Sequence, residues 1–399
     1  MVRFSRTGML ALFWGLLASH TFGQDSTSSF AAKRDSLIAE VLRTNPGLQA
    51  FRAEASGAET RIPQSNAWED PQITVSFMDN PTSSANFLRD GMERQYGILQ
   101  MVPFPGKKSA AEDAATSGAQ AAWKNVQARE RILISEVKIQ FAMLYSAQRR
   151  IEVNAEDQQL LGQMISSVQS KYSVGLASQA DVLRLQIELS KLENQRATLE
   201  HELRVPEAML NTLRSQPMTA PIGRIGDMTL VPFRFQLAPL SETALASRNE
   251  LSAMNFELAM KQSELRMAER ERVPDLMFGG VYRQRVGFQD TWDVMFGISV
   301  PIAPWVSGKY SGKVEEREYG VQQGEDNIRD ARNMIRFEVF DSWAKAKAHW
   351  EQADRFQTSI IPEARQALQA LLSAYQTNKA DFLSLLDSFR TLQMFRMEY

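Results

Sequence analysis

The chain offers few side chains that do covalent or metal chemistry. It has no cysteine, and its three histidines, His20, His201 and His349, lie far apart. That excludes disulfides, thiol catalysis and Cys-based metal sites, and it leaves no basis for a zinc site or a triad built on histidine. No nucleophile elbow, phosphate-cradling glycine loop or HExxH pair occurs, so the chain reads as a non-enzyme without cofactor or metal centre. What remains are carboxylates near two short interruptions: Asp181 after VGLAS, and Asp381 and Asp387 after TNK. Closely spaced like charges at a constriction favour cations and resist approach unless paired. The plainer reading is solvated carboxylates on helix faces.

These acids are positioned by a repeat. KYSVGLASQADVLRLQIELSKLEN is helical on both sides of Val174-Gly175-Leu176, and AYQTNKADFLSLLDSFRTL restates the arrangement about 203 positions later. Pro71 and Pro274 keep a similar separation, as do Pro103 and Pro301, and Asn45 and Asn249. Each half reads helix, strand, strand, very long helix, turn, helix. The halves span 24–214 and 240–399, with a Pro/Gly-rich connector at 215–239. The first helices cover about 31–68 and 240–272, each ending at a proline.

Strands are read at about 71–80 and 93–103, and again at about 274–284 and 291–302. In WDVMFGISV the apolar residues form an unbroken period-two row; LMFGGVYRQ, with two glycines, is the weakest. Long helices run over about 108–172 and 310–375, each roughly 95–100 Å at 1.5 Å per residue. Val137, Phe141, Leu144, Ala147, Ile151 and Ala155 keep a coiled-coil rhythm, as do Val182, Leu185, Leu189, Leu192, Arg196, Leu199 and Leu203. The turns fall at about 173–178 and 376–381, where Gly175 and Asn378 match and are residue types that tolerate left-handed backbone. Kinks are expected near Pro206 and Pro362. After the second turn the chain reaches Tyr399 about 15 residues sooner than the repeat predicts.

The N-terminus has the form of a cleaved signal peptide over 1–23: Arg3 and Arg6, a short apolar core from Met9 to Leu17, then Thr21 and Gly23. No cysteine follows for lipid attachment. The net charge of −2 gives no footprint for nucleic acid. No later stretch approaches the ~18 consecutive apolar residues of a spanning helix, so a membrane passage would have to use strands. Four strands cannot close a barrel, and open edges in lipid leave backbone groups unpaired. Three copies would bring twelve strands, an even number within the known range.

The segments RTNPGLQAF, VPFPGKK, KYSVGLASQADVLRLQIEL, SVPIAPWVSGK, IIPEARQALQALLSAY and NKADFLSLLDSFRTL, in this order on a two-fold repeat, resemble the TolC family of outer-membrane efflux channels. The resemblance covers essentially all of the mature sequence. It implies a mainly α fold with a membrane β-barrel contribution: a trimeric twelve-stranded barrel in the outer membrane and a long helical tunnel into the periplasm. It implies a passive conduit for small molecules or metal cations, in contact with outer-membrane lipid. The implied partners are a periplasmic adaptor and an inner-membrane pump of the RND type. Val174, Gly175 and Leu176 would contact the adaptor; Thr377, Asn378 and Lys379 depart from that pattern and make equal contact by both turns doubtful. Asp387, with Ser384 and Asp381, falls where the family narrows its tunnel. A periplasmic coiled-coil adaptor and a structural coiled-coil surface protein are the alternatives; the first needs a compact β-rich domain beside one hairpin, and the second lacks alternating strands.

Overall fold

The computed structural model describes residues 24–83, 85–301, 305 and 307–399. The signal-peptide expectation over 1–23 lies outside the described residues. The elements in chain order are α1 (Gln24–Thr44), α2 (Pro46–Asn66), β1 (Gln72–Met78), α3 (Phe87–Asp90), β2 (Glu93–Val102), α4 (Lys107–Ser173), α5 (Gln179–Leu213), α6 (Leu237–Ser247), α7 (Asn249–Arg270), β3 (Leu276–Arg285), β4 (Thr291–Ile298), α8 (Ser307–Arg355), a π-helical turn (Phe356–Ile360), α9 (Ile361–Gln376) and α10 (Phe382–Glu398).

The chain divides into two units, each drawing on both sequence halves. One, here the tip unit, comprises residues up to Glu40, Val137–Pro232 and Asp354–Tyr399; the other, the sheet unit, comprises Val41–Glu136 and Phe233–Ala353.

Several helices differ from the sequence expectation. The first helix of each half is two helices. Asn45 is extended (φ −65°, ψ 118°) because Pro46 follows it, and its Oδ1 accepts from Leu48 N at 3.1 Å to start α2. Arg248 takes nearly the same angles (φ −67°, ψ 118°) between α6 and α7 without a proline or a side-chain cap; its guanidinium instead pairs with Glu338 at 2.7 Å. The second long helix is not continuous either. Pro362 has no N–H for the carbonyl one turn back, and the backbone widens into the π turn just before it. α5, by contrast, runs on through Pro206.

In the tip unit, α4, α5, α9 and α10 share one core. Leu161, Met164 and Val168 of α4 meet Val182, Leu185 and Leu192 of α5, Leu368 and Tyr375 of α9, and Leu385 and Phe389 of α10. Spacings of three and four place these side chains on one stripe of each helix. The α4 stripe departs from the apolar reading at its middle: Ala155 is exposed, and Asn154 and Asp157 are buried instead. The connector has no regular element up to Gln236 but is strapped to helices. Asn211 Nδ2 donates to the carbonyls of Met218 and Ala220, and Ile225 N donates to Gln148 Oε1.

In the sheet unit, β1 to β4 form one antiparallel sheet in sequence order. The hairpin of one half pairs directly with that of the other through β2 and β3. The helices beside it are held by cross-helix pairs: Trp123 Nε1 donates to Glu59 (2.6 Å), and Arg317 pairs with Glu264 (2.6 Å). Gly324 lets α7 and α8 come close, since a Cβ there would lie 3.1 Å from Leu258 Cδ1.

Candidate functional site

The sheet has two chemically different faces. Register fixes which residues share a face. Ile73, Ile98, Gly280 and Val294 form one cross-strand row; Val75, Tyr96, Tyr282 and Trp292 form the next; Phe278–Phe296 and Val102–Leu276–Ile298 continue the same face in the other direction. These side chains are apolar or aromatic and open to the surroundings, with Ile73, Trp292 and Phe296 at 75–77% exposure. Phe278 and Phe296 meet edge to face, and Tyr96 lies against Tyr282. The opposite face carries Thr74, Gln95, Thr291 and a charge ladder toward the strand-connecting loops, with Leu99, Met101, Met277, Val281 and Met295 along the rest of it. There Arg285 bonds Glu93 at 2.8 Å and Arg283 bonds Asp293 at 2.7 Å. The exposed apolar rows suit hydrocarbon, and the charge ladder at the loop end of the opposite face suits water. The outer edges, β1 and β4, have no partner strand within the described residues. No described helix is long and apolar enough to cross a membrane.

Strand gives way to helix at a lysine whose role sequence reading missed. Lys107 Nζ bonds Asp275 Oδ1 and the Val273 carbonyl, both at 2.7 Å, and the same Oδ1 accepts from Phe104 N at 2.9 Å. Asp275 N in turn donates to the Ser299 hydroxyl oxygen at 2.7 Å. The knot ties the end of β2 to the starts of β3 and α4. Only the VPFPGKK segment could have pointed to it, and its acid partner lies in the other half.

The two turns of the tip unit use one backbone device. Gly175 (φ 75°) and Asn378 (φ 59°) are both left-handed. Leu176 N bonds the Lys171 carbonyl at 2.9 Å, and Lys379 N bonds the Ala374 carbonyl at 2.8 Å, the same six-residue closure at a helix C-terminus. The next helix starts alike in both. Ser178 caps α5 through Asp181 N (3.2 Å), with the Asp181 carboxylate returning to Ser178 N. Asp381 caps α10 through Ser384 N (2.9 Å) and also accepts from the Ser384 hydroxyl (2.7 Å). Those bonds from Ser384 hold the Asp381 carboxyl below its ordinary value. Asp387 is exposed on the same face of α10, opposite the buried Leu385, Leu386 and Phe389. Val174, Gly175, Leu176, Thr377, Asn378 and Lys379 are all exposed.

Residues not singled out in the sequence join the hairpins. Lys171 reaches from the end of α4 to the Tyr375 carbonyl and to Asn378 Oδ1 (2.5 Å), with its ammonium 4.4 Å from the Tyr375 ring centre. Higher up, Arg390 of α10 bonds Glu188 of α5, which also holds Lys191 at 3.0 Å. Burial raises the Glu188 carboxyl, but these cations outweigh it and leave the group below its usual value. Arg396 bonds both Glu156 and Asp157 of α4. Asp157 is 1% exposed, and its Oδ2 has no partner. Burial pushes its carboxyl up to about 6, against the opposing pull of Arg396. No group of three or more His, Cys, Asp or Glu side chains among the described residues could hold a metal.

The chain has counterparts among known proteins. The model of the family described as "Outer membrane efflux protein" matches residues 37–214. The cobalt-zinc-cadmium resistance protein CzcC of Cupriavidus metallidurans is 20% identical over 358 residues, covering 89% of this chain and 82% of that protein. The outer membrane protein VceC of Vibrio cholerae superposes with a TM-score of 0.76 at 18% identity, over 93% of this chain and 92% of its own. CusC, solved in connection with transmembrane channel formation, superposes with a TM-score of 0.79 at 16% identity, over 96% and 90%. The chain thus resembles the outer membrane efflux protein family over residues 37–214, and it shares the fold of VceC and CusC along nearly its whole length.

Proposed function

We propose that the chain is one third of a passive outer-membrane conduit that exports small molecules or metal cations from the periplasm. The observation that carries this reading is the four-stranded sheet with one apolar exposed face and two edges that have no partner strand among the described residues. In lipid such edges are tolerable only if identical copies pair with them, and three copies close a barrel of ordinary size. The charged face would then line the aqueous lumen. A leader over 1–23 would direct export, and the repeats over 24–214 and 240–399 would act as one protomer. The name of CzcC makes metal cations the first cargo to test. The drive would come from an inner-membrane pump of the RND type, joined through a periplasmic adaptor that meets the exposed Val174-Gly175-Leu176 turn. The Thr377-Asn378-Lys379 turn would take a lesser or different part.

The direct test is the assembly state and conductance of the purified mature chain. A detergent-solubilised trimer with strand signal on circular dichroism, conducting in planar bilayers, is the expected result. A water-soluble monomer that never partitions into detergent overturns the reading.

Asp387, with Ser384 and Asp381, is proposed to form the resting constriction. Asp381 and Ser384 are engaged in capping α10, which leaves Asp387 as the acid free to set the field. Three symmetry-related copies would favour cations. Asp387→Ala channels should conduct more or lose cation preference; unchanged conductance and selectivity would remove Asp387 from the gate.

A further inference from the structure

The two faces of the sheet treat arginine differently. On the charged face, Arg283 and Arg285 are paired with Asp293 and Glu93. On the apolar face, the row beyond Val75–Tyr96–Tyr282 is Phe77–Arg94–Gln284. Arg94 therefore sits about 7 Å past the aromatic row, on the side of the β1–β2 loop. Residues 87–90 of that loop lie against this corner of the apolar face. Its short helix α3 sets Phe87 edge-on against Phe77, with ring centres 5.7 Å apart. Arg94 Nη2 donates to the Leu88 carbonyl at 3.1 Å. Phe87 and Leu88 stay more than half exposed, and Arg89 is exposed between Leu88 and Asp90. Among the described residues neither Arg89 nor Arg94 is in an ion pair, and Asp290, between β3 and β4, is taken by the Tyr282 hydroxyl at 2.5 Å.

We propose that this shelf docks a membrane amphiphile whose headgroup carries phosphate. The acyl part lies against Phe87, Leu88 and the apolar rows, and the phosphate oxygens are held by Arg89 and Arg94. The inference rests on the reading of the sheet as part of an outer-membrane barrel. In such a barrel, aromatic side chains mark the boundary of the hydrocarbon, and the headgroups begin just beyond them. A guanidinium at that level has a planar donor fork matched to phosphate oxygens. A loop that existed only to cover the channel mouth would turn toward the charged face; this one turns outward and presents apolar and cationic groups together.

The test uses the detergent-solubilised assembly. It is titrated with a diphosphorylated, acylated disaccharide amphiphile, with the dephosphorylated counterpart and with inorganic phosphate, and bound molecules are counted by native mass spectrometry. The diphosphorylated amphiphile is expected to bind at least about tenfold more tightly to the wild type than to Arg89→Gln/Arg94→Gln. Arg89→Lys/Arg94→Lys, which keeps the charge but loses the fork, should fall between them. Equal binding by wild type and Gln variant, equal binding of the dephosphorylated amphiphile, or equal affinity for inorganic phosphate overturns the proposal. Planar-bilayer conductance of the same samples separates the two readings. Normal conductance with lost amphiphile binding supports the shelf; a wild type that neither assembles nor conducts overturns the barrel reading, and the shelf with it.

Discussion

The hairpins α4–α5 and α9–α10 close their turns with the same backbone and opposite chemistry. Gly175 and Asn378 occupy the same left-handed position, and the cap pair is simply inverted: Ser178 with Asp181 in one, Asp381 with Ser384 in the other. Yet the first turn exposes Val174 and Leu176, at 67% and 59%, while the second exposes Thr377 and Lys379. The seams differ in the same manner. Hairpin one contributes buried acids and an amide, Glu188, Asp157 and Asn154; hairpin two contributes Arg390, Arg396 and the aromatic Phe382 and Phe389. The two hairpins therefore share what the backbone requires and differ in side chains that act as complementary partners.

That complementarity has a strong test in the shared core. Phe389 is 1% exposed and belongs to the cluster formed by all four helices. Phe389→Ala should cost about 3–5 kcal/mol through lost burial and the cavity left behind. Hydrogen exchange is the informative measurement, because amides of α4 and α5 should lose protection together with those of α10. Loosening confined to α9–α10 would mean that the hairpins are separate modules and that their likeness is only ancestral.

The next largest effect is electrostatic and depends on pH. The Asp157 carboxyl is pushed up to about 6 from an ordinary 3.8, chiefly by burial. A carboxyl with a raised folded-state value binds its proton more tightly in the fold, so its contribution is most favourable below about 4. The contribution falls as pH rises through 6 and then levels off. The full span is on the order of 3 kcal/mol. The unfolding midpoint of the wild type, minus that of Asp157→Asn, should therefore decline between pH 4 and pH 7. A flat difference would mean that Arg396 compensates the buried charge completely.

Asp157 also marks where the sequence stops being legible. The strands, the turns and the repeat declare themselves through period-two alternation, through Gly175 and Asn378, and through matched prolines. The α4 seam was followed along apolar residues to Ile151 and Ala155, but a helix of 3.6 residues per turn carries the stripe on to Asn154 and Asp157. Polar residues are invisible to an apolar count, and their partners, Leu192 and Arg396, come from other helices. The break at Arg248 was hidden for a similar reason. Asn45 is betrayed by Pro46, whereas Arg248 has no local breaker and is anchored by Glu338 of α8. Lys107 and Lys171 act through carbonyls and acids of the opposite half. Short-range rules identify a residue's own element; they do not name its long-range partner.

Lys171 gives the third test, smaller because its surroundings are partly wet. Its ammonium bonds the Tyr375 carbonyl and Asn378 side chain and lies over the Tyr375 ring. Lys171→Gln should cost about 1–2 kcal/mol and speed amide exchange around the second turn. The first turn, which closes on its own backbone, should keep its protection. Equal loosening of both turns would show that Lys171 serves hairpin one as much as hairpin two.

The smallest effect probes the turn residues themselves. At Gly175 an added Cβ would meet nothing within 4 Å, so only the positive φ opposes substitution. Asparagine adopts that region far more readily than other residues with a Cβ, because its short amide can bond locally. Gly175→Asn should therefore cost well under about 1 kcal/mol, whereas Gly175→Val should approach 1–2 kcal/mol from backbone strain. At position 378 the order is different. Asn378→Gly relieves the backbone but removes the Oδ1 that Lys171 reaches, so the gain and the loss oppose each other and the net change should be near zero. In the Lys171→Gln background that loss is gone, and Asn378→Gly should become stabilising by a few tenths of a kcal/mol. A double-mutant cycle on thermal midpoints measures that coupling. If Asn378→Gly is worth the same with and without Lys171, the second turn is held by its backbone alone, as the first is, and the two turns differ only in what they display.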